Sequence, residues 1–395
     1  MSLLASLRRL DDTLRRTCRG VRRILVDSRT AVNYEMVAPV VRAMAADDRV
    51  RFAFTASEEP HRAPLIYKDA PAGSWVVSPH RAALLPWDAY LTSDFMWTPL
   101  LRRTARIQMF HGVAGKYGFD APTVSMRHWD RLFFVNERRL QNFVGAGAID
   151  AASPAARLIG MPKVDCLVDG SIRRDEVLCG FGLDPGLPTV LYAPTWSPAS
   201  SLNKLGEALI ERLLTLPINV IVKLHDRSRD PRPQYSGGVD WVARLSPMLN
   251  GAKAPGTPGR GLLALHANIT PCLVAADVMI TDHSSCGFEY LLLDRPLVRI
   301  EVPELLAQAN IHPDYVTLLA GAALNTSDPG GAAAAVTRAL SSPSELSAAR
   351  HAVARELFYK PGTATARCAA ALYDVVELAP HASIARDTEP CLQSA

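Results

Sequence analysis

The segment Ala276-Asp277-Val278-Met279-Ile280-Thr281-Asp282-His283-Ser284-Ser285-Cys286-Gly287-Phe288-Glu289-Tyr290 reads as an apolar strand, a tight polar turn and the start of a helix. Open α/β sheets bind ligands at turns that follow the carboxyl ends of parallel strands. Ser284 and Ser285 open the helix. Hydroxyls, backbone N–H groups and the positive end of the helix dipole therefore converge on a site that suits an anion. Two phosphates of a nucleotide donor fit that chemistry. Asp282 lies within the turn, and Glu289, about one helical turn beyond it, can accept bonds from ribose hydroxyls. The local pattern reads with equal force as a plain serine cap after a strand.

Three other segments end an apolar run on a polar residue. In Met109-Phe110-His111-Gly112-Val113-Ala114-Gly115-Lys116, a histidine meets two glycines, which let backbone and ligand approach closely. An imidazole there can act as a general base near neutral pH, with Gly112 and Lys116 beside it. For a lone His-Gly pair, a capping histidine is the plainer reading. In Val220-Ile221-Val222-Lys223-Leu224-His225-Asp226, His225 can donate a bond to a phosphate oxygen. Lys223 shares its face if the strand extends that far, and a surface histidine at a strand end explains the pattern as well. In Leu191-Tyr192-Ala193-Pro194-Thr195-Trp196, Thr195 can offer a hydroxyl to a donor, while Trp196 reads equally as packing. Taken together, the segments place polar residues at carboxyl ends of strands in both halves of the chain, as a cleft between two facing sheets requires.

The elements that would position them alternate between short apolar runs and helical stretches, the order of parallel sheets covered by helices. Strands are expected at 23–27, 50–55, 74–77, 89–92, 106–110, 131–135 and 156–160, and again at 189–192, 218–224, 278–281 and 297–300. Helices are expected at 33–46, 202–215 and 287–293. Glycines and prolines from Gly180 to Pro188 mark a break, which places a domain boundary between about 165 and 186. Residues 228–262, rich in Pro, Gly, Ser and Arg, read as loop, mobile around 246–261. The expected organisation is a helix at 1–22, α/β domains at 23–175 and 186–345, C-terminal helices at 346–378 and a tail at 379–395.

The 395 residues carry a net charge of +4, but seven arginines against two aspartates lie within residues 1–23, so the remainder is close to neutral. That argues against a broad nucleic-acid face. Leu3, Leu7, Leu10 and Leu14 fall at helical spacing in the basic segment. Such a helix can lie on an anionic membrane surface or pack, solvated, on the first domain. No apolar run reaches the roughly 18 residues of a membrane span, and charges interrupt any secretory signal. The seven cysteines are scattered, without a C-x-x-C pair, which suits the cytoplasm. No carboxylate cluster for a metal stands out, and no cofactor is expected.

With these motifs in hand, the sequence resembles the CDP-glycerol glycerophosphotransferase family, the teichoic-acid primases and polymerases, over roughly residues 24–376. The resemblance rests on His111-Gly112, Gly160-Met161-Pro162-Lys163-Val164-Asp165, Tyr192-Ala193-Pro194-Thr195-Trp196, Leu224-His225, and Ile280 to Ser285 with Glu289-Tyr290 and Asp294-Arg295-Pro296. Gly362-Thr363-Ala364-Thr365-Ala366-Arg367 closes the series. It implies a GT-B-like fold, two Rossmann-like parallel-sheet domains facing a central cleft. By the same resemblance His111 is the general base, and His225, Ser284 and Ser285 hold the pyrophosphate. Asp282, Glu289 and Thr195 belong to the donor site, and Gly112 and Lys116 to the acceptor side. The implied reaction transfers glycerol phosphate from CDP-glycerol to a hydroxyl of a lipid-linked or glycan acceptor, releasing CMP, at the cytoplasmic membrane face. This chain departs from the family pattern at Val113-Ala114, Asp226, His283 and Pro361. A related polyol phosphate stays open as donor, and the alternative on this fold is a glycosyltransferase or sugar-nucleotide epimerase using a UDP- or GDP-sugar.

Overall fold

In β1 (Arg22–Asp27), Ile24, Leu25 and Val26 are consecutive and all buried. Successive strand side chains point to opposite faces, so the sheet around β1 must be covered on both sides. Parallel strands joined by crossover helices meet that condition. The computed structural model describes residues 20–113, 126, 128–150, 152–250 and 259–385, and it contains two such sheets. The first adds β2 (Val50–Thr55), β3 (Trp75–Val76), β4 (Ala89–Thr92), β5 (Ala105–Met109), β6 (Arg131–Phe134) and β7 (Ala156–Leu158) in the order 3-2-1-4-5-6-7. The second is built from β8 (Thr189–Tyr192), β9 (Asn219–Lys223), β10 (Gly261–Ala264), β11 (Val278–Thr281), β12 (Leu297–Ile300) and β13 (Leu324–Thr326), in the order 10-9-8-11-12-13. Every pairing is parallel. Strand order reverses at β1/β4 in one sheet and at β8/β11 in the other. Crossovers leave in opposite directions at such a point, opening a crevice at the carboxyl ends.

The chain divides into two compact units. One comprises Met1–His111, Pro122–Asp165 and Tyr359–Ala395; the other comprises Gly112–Ala121 and Cys166–Phe358. In the second unit β8, β9, β11 and β12 are buried along their whole length. Burying one Val, Leu or Ile contributes about 1.5–3 kcal/mol, so these strands form the core against which the turns at their carboxyl ends are held. Helix starts are fixed locally. The Thr30 hydroxyl accepts the Asn33 N–H at 3.3 Å ahead of the helix Ala31–Met44, and the Asn136 side chain accepts the Arg139 N–H at 2.9 Å ahead of Glu137–Gly145.

The expected loop at 228–262 is partly regular. It contains the helices Pro233–Ser236 and Trp241–Leu249 and the start of β10. Trp241, Leu245 and Leu249 form a buried stripe at i, i+4 and i+8, and Asp240 caps that helix at Ala243 N–H, 3.0 Å. Pro247 and the flanking arginines hide this signal in the composition. The C-terminal helices are also divided. Ser347–Leu357 stays with the second unit, and Ala364–Val375 belongs to the first. There Tyr373 donates its hydroxyl to Asp47 at 2.8 Å and Arg22 donates to the Val376 carbonyl at 2.8 Å. Most of the expected N-terminal helix (residues 1–19), Lys116, residues 251–258 and the end of the tail (386–395) lie outside the described residues. Among the described residues no helix is long and apolar enough to cross a membrane.

Candidate active site

In the second unit the switch point β8/β11 carries the turn Asp282-His283-Ser284-Ser285. Beyond the regular ladder, Ala193 N–H donates to the Ile280 carbonyl at 2.9 Å and the Thr281 hydroxyl to the Ala193 carbonyl at 2.7 Å. Asp282 then ties three segments together. Its Oδ1 accepts the Thr195 N–H at 2.8 Å and the His283 N–H at 2.6 Å, and its Oδ2 accepts the N–H and hydroxyl of Ser201, both at 3.0 Å. A carboxylate offers about four lone-pair positions, and here protein donors fill them. Asp282 is 1% exposed, so its charge shapes the turn from beneath. Glu289 is likewise enclosed at 2% exposure in the helix Ser285–Tyr290, beneath the surface rather than on it. Ser284 holds the N-cap position, but its hydroxyl makes no cap bond and accepts the Cys286 thiol at 3.0 Å instead. The helix start is therefore not closed by its own serine. Gly112, grouped with this unit, lies beside the turn: a Cβ there would stand 3.7 Å from Ser285 Oγ, an ordinary contact.

His225 follows β9 at the same end of the sheet. Its Nδ1 accepts the Arg227 backbone N–H at 3.1 Å. An amide N–H can only donate, so in the neutral ring the proton sits on Nε2, the form that donates to a phosphate oxygen. Trp196, next to Thr195, has its ring centre 6.2 Å from the His225 ring. Lys223 is buried, its Nζ donating to the Leu224 carbonyl at 3.0 Å, and burial pushes its amine below the usual lysine range.

In the first unit the corresponding end of the sheet gathers His111, Ser93, Asp94 and Arg29. His111 Nδ1 lies 2.6 Å from the Ser93 carbonyl, which can only accept. The proton of the neutral ring is therefore on Nδ1, and Nε2 carries the lone pair a general base needs. Asp94 Oδ1 is 3.7 Å from the same Nδ1, and Asp94 pairs with Arg29 at 2.9 Å, which also pairs with Glu58 at 2.8 Å. The two histidines thus hold opposite tautomers. Sequence reasoning missed Arg29, Asp94, Ser201 and Arg227. Ser93-Asp94 follows a strand end, the same signal that drew attention to His111.

Three other motifs serve as clasps. Asp165 accepts the N–H groups of Gly362 at 2.7 Å, Ala364 at 3.1 Å and Thr365 at 2.6 Å, capping the helix Ala364–Val375 from almost two hundred residues away. Arg367 returns the contact, donating to the carbonyls of Ile159 at 2.8 Å, Tyr359 at 3.1 Å and Lys360 at 2.7 Å. Gly160, at φ +90°, is pressed against this seam, where a Cβ would stand 2.6 Å from the Tyr359 carbonyl. Within Asp294-Arg295-Pro296, Asp294 holds Arg350 at 2.9 Å and Ser347 at 2.7 Å, and Arg295 donates to the Val274 and Ala276 carbonyls at 2.6 Å.

A family model described as CDP-glycerol:poly(glycerophosphate) glycerophosphotransferase matches residues 33–305. No curated protein matches the chain. Among solved structures, one of the wall teichoic acid polymerase TagF aligns with a TM-score of 0.67 at 15% identity, covering 95% of this chain and 99% of that one. A TagF variant soaked with CDPG aligns at 0.66 and 16% identity, over 94% and 93% of the two chains. A putative UDP-N-acetylglucosamine 2-epimerase from Listeria monocytogenes aligns less well, at 0.58 and 13% identity over 90% and 96%. At these identities the likeness carries the fold, two parallel-sheet α/β domains of the GT-B kind.

Proposed function

The chain belongs to the CDP-glycerol:poly(glycerophosphate) glycerophosphotransferase family, and on that premise we propose how it carries out CDP-glycerol-dependent transfer. An acceptor hydroxyl attacks the β-phosphorus of CDP-glycerol. The new bond forms from acceptor oxygen to phosphorus, the bond to the bridging oxygen breaks, and CMP leaves with that electron pair. His111 Nε2 takes the acceptor proton. His225 Nε2–H, Ser284, Ser285 and the opening N–H groups of the helix Ser285–Tyr290 hold the pyrophosphate, with Thr195 beside them and Asp282 and Glu289 supporting the turn from below. Gly112 and Lys116 belong to the acceptor side. Such a step needs alignment and neutralisation of developing charge more than covalent chemistry.

The family match carries this reading. The opposite tautomers of His111 and His225 support the division of labour. The acceptor is a lipid-linked or glycan hydroxyl in teichoic-acid-like polymer synthesis, met at the cytoplasmic face of the membrane with residues 1–22 on the anionic surface. The test is CMP release from CDP-glycerol with a poly(glycerol phosphate) primer. His111→Ala lowers turnover by about 10²–10⁴ while CDP-glycerol still raises its melting temperature. Full turnover by that variant removes the base role. Protection by UDP-N-acetylglucosamine in place of CDP-glycerol removes the donor. Co-sedimentation with anionic liposomes, compared with and without residues 1–22, checks the membrane contact, and equal binding by both rules it out.

A further inference from the structure

Arg227, Arg229 and Arg232 follow His225 closely, and their surroundings differ. Arg229 pairs with Asp226 and donates to the Leu265 carbonyl at 2.6 Å. Arg232 pairs with Asp230 at 2.6 Å. Arg227 has no carboxylate partner among the described residues. Its Cζ lies 4.3 Å from the Trp196 ring centre and 5.2 Å from that of Tyr235. The two rings are 5.9 Å apart and stand at 86°. The guanidinium thus occupies the corner between two perpendicular rings. That corner restrains it by cation–π attraction, while no hydrogen bond from its guanidinium to an oxygen is formed among the described residues. The same residue's backbone N–H fixes the His225 tautomer, and Trp196 adjoins Thr195, so the corner borders the donor turn.

A restrained, uncompensated guanidinium with a planar fork of donors is matched by a phosphate, which it can grip through two parallel bonds. We propose that Arg227 is a phosphate-binding residue of the donor site. It grips the pyrophosphate of the nucleotide donor, and Trp196 and Tyr235 pre-position it. This rests on the reading that the donor phosphates lie at the carboxyl ends of β8, β9 and β11.

The test compares wild type with Arg227→Gln and Arg227→Met, the latter keeping an apolar stem against the rings should the former fail to fold. Affinities for CDP-glycerol, CDP and cytidine are measured by calorimetry, and donor and acceptor KM by CMP release. The expected result is a loss of roughly ten- to a hundredfold in affinity for CDP-glycerol and CDP, with cytidine affinity and acceptor KM unchanged. Trp196→Leu gives a smaller loss in the same direction. Unchanged CDP affinity overturns the proposal, as does an equal loss for cytidine, or a rise in acceptor KM alone. If wild type binds CDP in an Arg227-dependent way but releases no CMP, the transferase reading fails and this one stands. If wild type is active and the variants match it, the reverse holds.

Discussion

Residue type does not tell which polar residues of the candidate site are consumed in building the turn. Asp282 sits in the middle of the motif, yet its carboxylate is saturated by Thr195, Ser201 and His283. Asparagine there would turn an N–H₂ group toward at least one of those donors. Asp282→Asn is expected to cost about 1–3 kcal/mol for the buried groups left unsatisfied, and to lower turnover through a displaced turn. Thermal unfolding and CMP release measure both, and an unaltered melting temperature contradicts the bracing role. Asp47 provides a pH test. The Arg49 guanidinium beside it, with the Tyr373 hydroxyl, holds its carboxyl well below the usual range. A depressed folded pKa adds stability that is present above the unfolded value of about 3.9 and lost as pH falls below it. The melting temperature of Asp47→Asn should therefore lie furthest below wild type at neutral pH, with the gap closing toward pH 3. A gap that stays constant would show that the charge is not the cause.

At the scale of elements, the most informative motif pair is Gly160–Asp165 with Gly362–Arg367. Both were legible as family signatures, and the hydrogen bonds they make join the helix Ala364–Val375 to the rest of the first unit. Asp165 supplies the cap that Thr363, at the N-cap position of the helix Ala364–Val375, does not make. Asp165→Ala should destabilise the first unit by about 2–4 kcal/mol, combining a lost cap with lost charge-assisted bonds. Donor affinity should stay unchanged, and a variant that melts like wild type would refute the clasp. Gly160→Ala should be worse. It adds strain at positive φ to a collision with the Tyr359 carbonyl, and failure to accumulate as folded protein is the expected outcome. The strands β10 and β13 and the helix Trp241–Leu249 were missed. The two strands are short and made regular by the strand each pairs with, β9 or β12, while Pro247 and the flanking arginines mask the buried stripe of the helix.

At the scale of the molecule, the strands of each sheet are contiguous in sequence, but the first unit also takes in a distant C-terminal segment. All six strands of the second sheet lie between Cys166 and Phe358, whereas the first unit recovers its last helix from beyond Tyr359. Cys368, Leu372 and Tyr373 are fully buried there. A piece spanning residues 166–358 is therefore expected to fold alone and to be stabilised by CDP, while a chain ending at Phe358 should lose the first unit. Calorimetry separates the two, since loss of CDP stabilisation in the piece would place part of the donor site elsewhere.

The sequence by itself determined the parallel α/β class, most strands, the strand-end positions of His111, His225 and Ser284-Ser285, and the family. Each is written in short apolar runs, breaks and ordered motifs. Tertiary structure decided what those polar residues are free to do. Whether Asp282 or Glu289 is buried, which nitrogen of each histidine holds the proton, and why Asp165 matters all depend on hydrogen bonds. Some run to a neighbour, as from Arg227 to His225. Others join residues such as Thr195 and Asp282, or Asp165 and Thr365, that are distant in the chain. No local spacing encodes such partners, because packing brings them together only after the strands have found their order.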